Sequence, residues 1–409
     1  MEGERMSNGE KLWTKGFVIL TISCFLLFLN MQMLLVTTPA YLREHFHSND
    51  PTIGLVTSLF AFSAILARIY TGRPSQMHKI GQLLLIGLGI TLIATVGIYW
   101  SYVVLVILFM RMLHGIGFGM ASTTLPTMAS NLIPTKKMGE GMGYFGFSNT
   151  LALMLGPVIG LFLFTTYSMA VLVLVASIIL AVVFPLLYIM MPSATRATEK
   201  SEAKDRNTDS NKKRFLLRKL LVPSILNVLM YATYSGLISF IVLFGQEQNL
   251  QGAGSFFLFS SLVVLLMRPI AGKVFDQKGP IVVLIPGAVF MMIGLILLSF
   301  ATHFVFVVLS ALVYGSGYGI LQPSIQAWMI NKVSKEERGL ANGMFFNSLD
   351  LGVVTGAMIL GAIASRLGYV HMYQISALFM VLFLVVLGVS VFIERRSHDV
   401  GANHHSASL

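Results

Sequence analysis

Apolar positions of this chain fall into long continuous runs rather than alternating with polar ones. Uncharged stretches recur from residue 16 to residue 393. Because about 18 or more such residues suffice for a helix to cross a bilayer, the pattern predicts twelve membrane-spanning helices. The predicted spans are residues 16–41, 52–72, 82–100, 102–127, 141–165, 168–191, 220–245, 253–275, 280–300, 303–330, 340–365 and 369–393.

Composition supports the same class of protein. Of the 409 residues, 56% are hydrophobic and only 11% are charged. Soluble domains carry about 25% charged residues, so this chain has too few to cover a water-facing surface. The sequence therefore predicts an all-α membrane protein that crosses the bilayer many times.

The net charge of +11 is concentrated on one side of the predicted spans. Of the 28 Lys and Arg residues, 23 fall in the two tails and in alternate loops, whereas the other loops hold only Arg43 and Arg366. Loops rich in Lys and Arg face the cytoplasm. We expect a multi-pass protein of a cytoplasmic membrane with both tails, 1–15 and 394–409, in the cytoplasm. The basic charge then reports topology and predicts no nucleic-acid partner.

The chain divides into two related halves. A polar segment, 192–219, has the composition of a cytoplasmic linker and separates 16–191 from 220–393. Without gaps, an offset of 200 residues aligns distinctive positions in the halves. The aligned pairs include Gly54/Gly254, Arg68/Arg268, Gly72/Gly272, Gly115/Gly315, Gly117/Gly317, Gly119/Gly319, Gly139/Gly339, Gly143/Gly343, Ser148/Ser348 and Gly156/Gly356. Repeats of six spans are typical of secondary transporters, whose substrate site lies at mid-membrane between the halves.

One motif occurs in the loops after spans two and eight. The second copy, RPIAGKVFDQKG, contains Gly272, Asp276 and Gly279. A carboxylate there can accept hydrogen bonds from a neighbouring helix end and latch one conformation, while glycine permits a tight turn. The first copy, RIYTGRPSQMHKIG, has Gly72 and Arg73 but lacks the aspartate, which weakens the case for a charged latch on that side.

Span four contains two basic side chains within FMRMLHGIGFGM. Arg111 and His114 share a helix face, and Gly115 with Gly119 allows a neighbouring helix to approach closely. A cation at mid-span costs about 2.5–3.5 kcal/mol on insertion scales, so Arg111 should face the bundle interior and have a partner. His114 adds a group that titrates near neutral pH.

Span five contains ALMLGPVIG, with Gly156, Pro157 and Gly160. Proline removes a backbone donor and kinks the helix. The glycines would offer a smooth surface against which the other half could rock.

These three motifs resemble those of the major facilitator superfamily, and more narrowly those of its drug:proton antiporters, over about residues 16–393. The resemblance implies two pseudo-symmetric six-helix bundles and a monomer. It also implies that Arg111 takes part in proton coupling and that the Gly156–Pro157 signature marks an exporter.

Asp350 in span eleven belongs to no motif. It lies about ten residues, or roughly 15 Å, from the predicted cytoplasmic end of its span, and its counterpart at the 200 offset is Thr150. A lone carboxylate near the bilayer middle suits a proton carrier. Because Arg111 also falls at mid-depth in the sequence count, a pair between Arg111 and Asp350 across the cavity is one possibility; a structural role for Asp350 is the other.

Further polar side chains lie within the predicted spans, and the resemblance implies that spans one, four, seven and ten line the cavity. The candidate substrate-binding residues are Asn30, Gln32, Asn149, Asn227, Tyr231, Tyr234, Gln322, Gln326 and Asn347, with Trp328 beside them. Abundant methionine and phenylalanine suit a tolerant pocket.

No enzyme is predicted. The chain contains no Walker loop, His-Glu-x-x-His helix or Gly-x-Ser-x-Gly elbow, and its single cysteine excludes a cysteine-based metal site. The sequence favours a proton-coupled exporter of small amphipathic compounds that needs no cofactor, with a substrate, protons and the lipid bilayer as its partners. The alternatives are an exporter of one metabolite such as a metallophore or sugar, a proton-coupled importer, and a transporter-like sensor that moves nothing.

Overall fold

The computed structural model describes residues 11–48, 50–198, 210–250 and 252–406. Those residues form α-helices joined by short connections, four of which contain a turn of 3₁₀-helix. The α-helices are α1 Lys15–Phe46, α2 Asp50–Thr71, α3 Ile80–Tyr99, α4 Val104–Leu132, α5 Met138–Thr166, α6 Met169–Ala181, α7 Val183–Thr198, α8 Ser210–Glu247, α9 Phe256–Lys278, α10 Pro280–Ser299, α11 Phe304–Asn331 and α12 Arg338–Ser406.

Within the described residues, eleven helical stretches are long and apolar enough to cross a membrane. Helices α6 and α7 together form the sixth. The last stretch, Lys335–Ile393, has 59 residues and is long enough for two crossings. Its backbone breaks at Gly368, where φ is +81°, a conformation that glycine adopts without strain. This break lies between the eleventh and twelfth spans predicted from the sequence, so the chain makes twelve crossings.

The helices extend into segments that the sequence analysis assigned to the linker and to the C-terminal tail. Helix α7 ends at Thr198, α8 begins at Ser210, and α12 reaches Ser406. The middle of the predicted linker, 199–209, and most of the N-terminal tail, 1–10, lie outside the described residues. The domain boundaries therefore remain predictions.

The two halves repeat one packing arrangement. In the first half α5 packs on α1, and α4 packs on both α2 and α3; in the second half α12 packs on α8, and α11 packs on both α9 and α10. The glycine triplet produces the central contacts. A Cβ at Gly115 or Gly119 would collide with the α2 backbone, and one at Gly117 with α3. Gly315 and Gly319 meet α9, and Gly317 meets α10. The close helix approach predicted for this motif is present in both halves.

The halves meet mainly where α5 contacts α9, with smaller contacts of α5 with α11 and of α12 with α2 and α4. The hydrogen bonds that join them cluster on one side of the bundle, where α2 and α9 end and α5 and α12 begin. Helix α7 ends and α8 begins on this side too, and we call it the linker side. The structure is thus a state in which the halves are closed against each other on the linker side.

The span-five signature does not form a surface between the halves. A Cβ at Gly156 would overlap the side chain of Gln32, and one at Gly160 would press on the Met33 backbone. Both contacts are with α1 of the same half. The expectation that these glycines face the other half is therefore wrong: in this state they, with Pro157 between them in α5, serve the tight packing of α5 on α1.

Candidate functional site between the two halves

A buried ion pair joins the halves. Arg68, near the end of α2, donates through Nη1 to Oδ2 of Asp350 on α12. The Arg68 side chain is 3% exposed and that of Asp350 is 22% exposed. Arg68 Nε also donates to Ser122 Oγ of α4 at 3.3 Å. The carboxylate therefore holds a cation of the opposite half while keeping partial access to solvent.

Aromatic rings enclose this ion pair. The Arg68 guanidinium lies 5.8 Å from the centroid of Phe118 in its own half and 5.4 Å from that of Phe346 on α12. Both distances allow a cation–π interaction. Because the Arg68 side chain is buried beside these rings, the pair is more sensitive to the loss of one charge than a surface salt bridge would be.

Arg111 does not pair with Asp350, which corrects the pairing considered from the sequence. Its Nη1 lies 3.0 Å from Nδ1 of His114, and Nε2 of His114 lies 3.1 Å from Oδ1 of Asn30. The guanidinium also lies 4.7 Å from the ring centroid of Phe60. This chain of contacts runs from α4 to α1 and α2, so Arg111 is buried inside the first half.

Depth explains the difference. Arg111 lies 21 residues before the linker-side end of α4 at Leu132, roughly 32 Å at 1.5 Å per residue. Asp350 lies 12 residues after Arg338, the linker-side start of α12, roughly 18 Å. These two ends are level, since Arg338 Nη1 donates to the backbone oxygen of Ser130. Arg111 therefore lies more than 10 Å farther from the linker side than Asp350 does.

Arg268 on α9 is the counterpart of Arg68 but has different partners. Its Nη2 donates to Oε1 of Gln322 on α11, the position equivalent to Ser122. The side chain is 1% exposed, and neither Nε nor Nη1 has a hydrogen-bond partner in the described part of the chain. Nη1 lies against Gly146 on α5 of the other half. The second buried cation of the repeat thus faces the opposite half without an acid.

Asp276, in the loop motif at the end of α9, contacts the first turn of α5. Its Oδ1 accepts from the Gly139 amide at 2.6 Å, and its Oδ2 accepts from the Glu140 amide at 2.9 Å. Amides in the first turn of a helix have no partner within the helix and carry its positive dipole end. Lys273 Nζ lies 3.7 Å from Oε1 of Glu140 across the same contact. Gly279, with φ of +82°, then turns the chain into α10.

The equivalent contact at the end of α2 is made differently. Gly72 lies against the Gly339 backbone at the start of α12, and Gly272 lies in the same way against Gly139. No aspartate occupies the first copy; Arg73 instead stacks on Tyr70 with 5.6 Å to the ring centroid. Nearby, Arg338 donates to Asn131 Oδ1 at 3.2 Å. The linker side is thus closed by a carboxylate at one contact and by close backbone packing at its counterpart.

The candidate substrate residues fall into different environments. Asn30 is buried in the first half and donates to the backbone oxygen of Ala176 at 3.1 Å. Asn227 is buried between α8 and α12, where it donates to Ser348 Oγ at 2.8 Å. Neither lies in an open cavity in this state. Gln326 is buried and donates to Asn342, whereas Gln32 packs on α5; Asn149 and Asn347 are half-buried.

A tyrosine cluster forms in the second half near Arg268. Tyr234 and Tyr318 stack with ring centroids 5.0 Å apart, and Tyr318 donates to the Tyr231 hydroxyl at 3.4 Å. Tyr231 and Tyr234 were candidates from the sequence; Tyr318 was not. It lies on the α11 glycine motif, at the position equivalent to Phe118, so the repeat could have indicated it.

Sequence comparisons indicate one superfamily of transporters. The profile of the Major Facilitator Superfamily matches residues 20–352 and 283–407. An MFS-type transporter of Methanocaldococcus jannaschii is 24% identical over 331 residues, covering 80% of this chain and 86% of its own. The multidrug resistance protein MdtG of Escherichia coli is 23% identical over 395 residues, covering 93% of each.

Solved structures share the fold at low identity. The human organic anion transporter MFSD10 superposes with a TM-score of 0.73 at 15% identity, over 91% of this chain and 99% of its own. The transporter FucP in its outward conformation superposes with a TM-score of 0.72 at 17% identity, over 92% and 98%.

Two six-helix halves, with buried charges where they meet, define a membrane transporter rather than an enzyme. The chain belongs to the Major Facilitator Superfamily.

Proposed function

We propose that this protein is a proton-coupled exporter of small amphipathic compounds that exchanges protons for substrate by alternating access. The observation that carries the proposal is the ion pair between Arg68 and Asp350, because it links a titratable group directly to contact between the halves. The 23 Lys and Arg residues of the tails and alternate loops support a cytoplasmic linker side, in a cell membrane, with both termini inside.

Protonation of Asp350 would release the halves. The hydrogen bond from Arg68 has its full strength only while the carboxylate is charged. A neutral carboxyl group loses the ionic attraction across the interface. In this state the halves are closed on the linker side, so a proton would reach Asp350 from the outer side. Its binding would therefore favour a state in which the halves open towards the cytoplasm. There Asp350 loses its proton, substrate enters, and re-forming the ion pair closes the linker side again.

Asp276 contributes the second contact of the same state. Its two hydrogen bonds to the first turn of α5 join the halves at a helix end, and Lys273 with Glu140 adds a partly exposed ion pair. This arrangement supports a latch role for the Gly272–Gly279 loop. Arg111 and His114 remain a second candidate for proton coupling, through their chain of contacts to Asn30.

Export of amphipathic compounds is supported by the similarity to MdtG and by the aromatic and methionine-rich interior. Within this proposal, the substrate contacts the half-buried Asn149 and Asn347 and the tyrosine cluster when the halves separate. A monomer suffices, because one chain supplies both halves.

The test uses everted membrane vesicles containing a dye that reports the pH gradient. After energisation, amphipathic drugs and metallophores are added to vesicles with wild type, Asp350→Asn or Glu247→Gln. Glu247 is a control carboxylate at the other end of α8, which accepts from the Tyr369 amide at 3.4 Å. We expect some drugs to dissipate the gradient in wild type and in the Glu247 variant but not in the Asp350 variant.

Other outcomes separate the alternatives. Dissipation that survives Asp350→Asn but is lost in His114→Gln transfers the proton site to the first half. A response to one metallophore or sugar alone indicates a dedicated exporter. If substrate moves inward with the proton, the protein is an importer, and if no compound has any effect the multidrug proposal fails.

A further inference from the structure

Arg268 combines burial with unused hydrogen-bonding capacity. Its side chain is 1% exposed, it donates to Gln322 through Nη2, and its Nε and Nη1 have no partner in the described part of the chain. A buried cation without a counter-charge is strongly unfavourable. Arg111 also has unpartnered nitrogens, but it lies inside the first half and contacts His114 and the Phe60 ring. Arg268 instead faces the boundary between the halves.

The repeat shows what Arg268 lacks. Its counterpart Arg68 pairs with Asp350, whereas the position equivalent to Asp350 in the first half is Thr150. The sequence offers no second acid for this role: Asp350 is the one carboxylate within the spans away from their ends, whereas two buried arginines, Arg68 and Arg268, lie where the halves meet. The region between the halves therefore has an excess of positive charge when Asp350 is ionised, and more when it is protonated.

The surroundings of Arg268 suit a flat anion. Gly146 of the opposite half places no side chain against Nη1, so separation of α5 from α9 would leave the guanidinium open on that face. Tyr231 and Tyr318 lie close enough to interact with its charge, and Tyr318 stacks on Tyr234. Nη2 keeps a second N–H besides the one that Gln322 accepts, so the guanidinium can bind a carboxylate in a bidentate manner through Nη2 and one of the two free nitrogens. Tyrosine rings can stack on an aromatic body.

We propose that Arg268 is the substrate-recognition residue for an anionic group, and that the transported compounds include small aromatic carboxylates. This inference rests on the proposed transport function but not on Asp350 being its proton site. Substrate carboxylate would occupy at Arg268 the position that Asp350 occupies at Arg68. Because one arginine then serves the proton-carrying acid and the other the substrate, the pseudo-symmetry of the halves separates the two tasks.

The test measures binding to the purified full-length protein in nanodiscs by ligand-induced thermal stabilisation. The probes are 2-naphthoate and salicylate, with 2-naphthamide and salicylamide as uncharged matches and tetraphenylphosphonium as a cation. The variants are Arg268→Gln, which keeps a partner for Gln322, and Arg268→Lys, which keeps charge without the bidentate fork. Arg73→Gln removes a cation from the linker-side loop and serves as the control.

We expect the carboxylates to stabilise wild type and Arg73→Gln, with at least tenfold weaker binding in Arg268→Gln and intermediate binding in Arg268→Lys. Gly146→Ala provides a second route, because its Cβ would overlap Nη1 in this closed state without removing the charge. It should favour separation of α5 from α9 and leave carboxylate binding at least as strong as in wild type. The amides should bind wild type and Arg268→Gln equally weakly.

Carboxylate binding that is unchanged in Arg268→Gln overturns the proposal, as does the absence of any carboxylate effect on wild type up to about 10 mM. Stabilisation by the cation alone overturns it too. Cation-driven proton exchange in the vesicle assay would in that case leave the exporter proposal standing, so the two failures are distinguishable.

Discussion

Asp276 in one half accepts the Gly139 amide of the other half at 2.6 Å, at the first turn of α5. The carboxylate accepts from Glu140 in the same way, so a single side chain satisfies two helix-end donors across the interface. Removing its charge while keeping its shape should therefore weaken the closed linker side without disturbing either half.

We predict that Asp276→Asn shifts the equilibrium towards an open linker side. Hydrogen bonds to charged groups contribute about 1.5–3 kcal/mol, and the amide retains only one acceptor oxygen, so a shift of roughly tenfold is expected. The measurement is the rate of maleimide labelling of Ser130→Cys in a Cys24→Ser background, because Ser130 is buried at the closed interface. Glu247→Gln, at the opposite side, should leave that rate unchanged.

Close backbone approach gives a second prediction at the same interface. A Cβ at Gly139 would lie 2.6 Å from the Gly272 backbone oxygen, a distance that neither helix can accommodate without moving. Adding Gly139→Ala to the Ser130→Cys protein should therefore increase the rate of maleimide labelling at least tenfold and slow transport. Gly89→Ala is the matched control, since nothing lies within 4 Å of its added Cβ. Equal labelling rates in the two alanine variants would contradict the prediction.

Much of the fold could be predicted because its signals are local. The lengths of the apolar runs indicated twelve crossings, and the offset of 200 residues indicated two equivalent halves, whose glycine triplets make equivalent contacts. The face that each helix turns towards the core was harder to predict. The helices are apolar on every side, so periodicity does not distinguish a lipid-facing from a core-facing position. Asn30 therefore looked like a cavity residue, although it is bonded within the first half.

The pairing of charges could not be predicted for a related reason. Arg68 and Asp350 are 282 positions apart, and their contact depends on how the halves cross. Depth was counted from predicted span ends, and α4 runs to Leu132, beyond the predicted end at 127. That extension moves Arg111 away from the level of Asp350. The equivalence of Arg68 and Arg268 was visible in the sequence, but nothing local indicated that one has an acid and the other has none.

The ion pair predicts an unequal response to removing either partner. Asp350→Asn leaves Arg68 buried with an uncompensated charge, which should lower the unfolding free energy by about 3 kcal/mol. Arg68→Gln should be milder, because Asp350 can take up a proton and is 22% exposed. The double variant should recover most of the loss, as shown by thermal unfolding in detergent. Additive losses in the double variant would mean that the two residues do not depend on each other.

His114 bridges Arg111 and Asn30, with contacts of 3.0 and 3.1 Å on its two ring nitrogens. We predict that His114→Ala lowers the unfolding free energy by about 1–3 kcal/mol, because it leaves buried polar groups of both neighbours without a partner. His114→Gln, which can restore one of those contacts, should lose less. If the bridge is structural, both variants retain drug-driven proton exchange whose pH profile matches that of wild type. A changed pH profile in His114→Gln, with stability preserved, would instead identify His114 as part of the proton pathway.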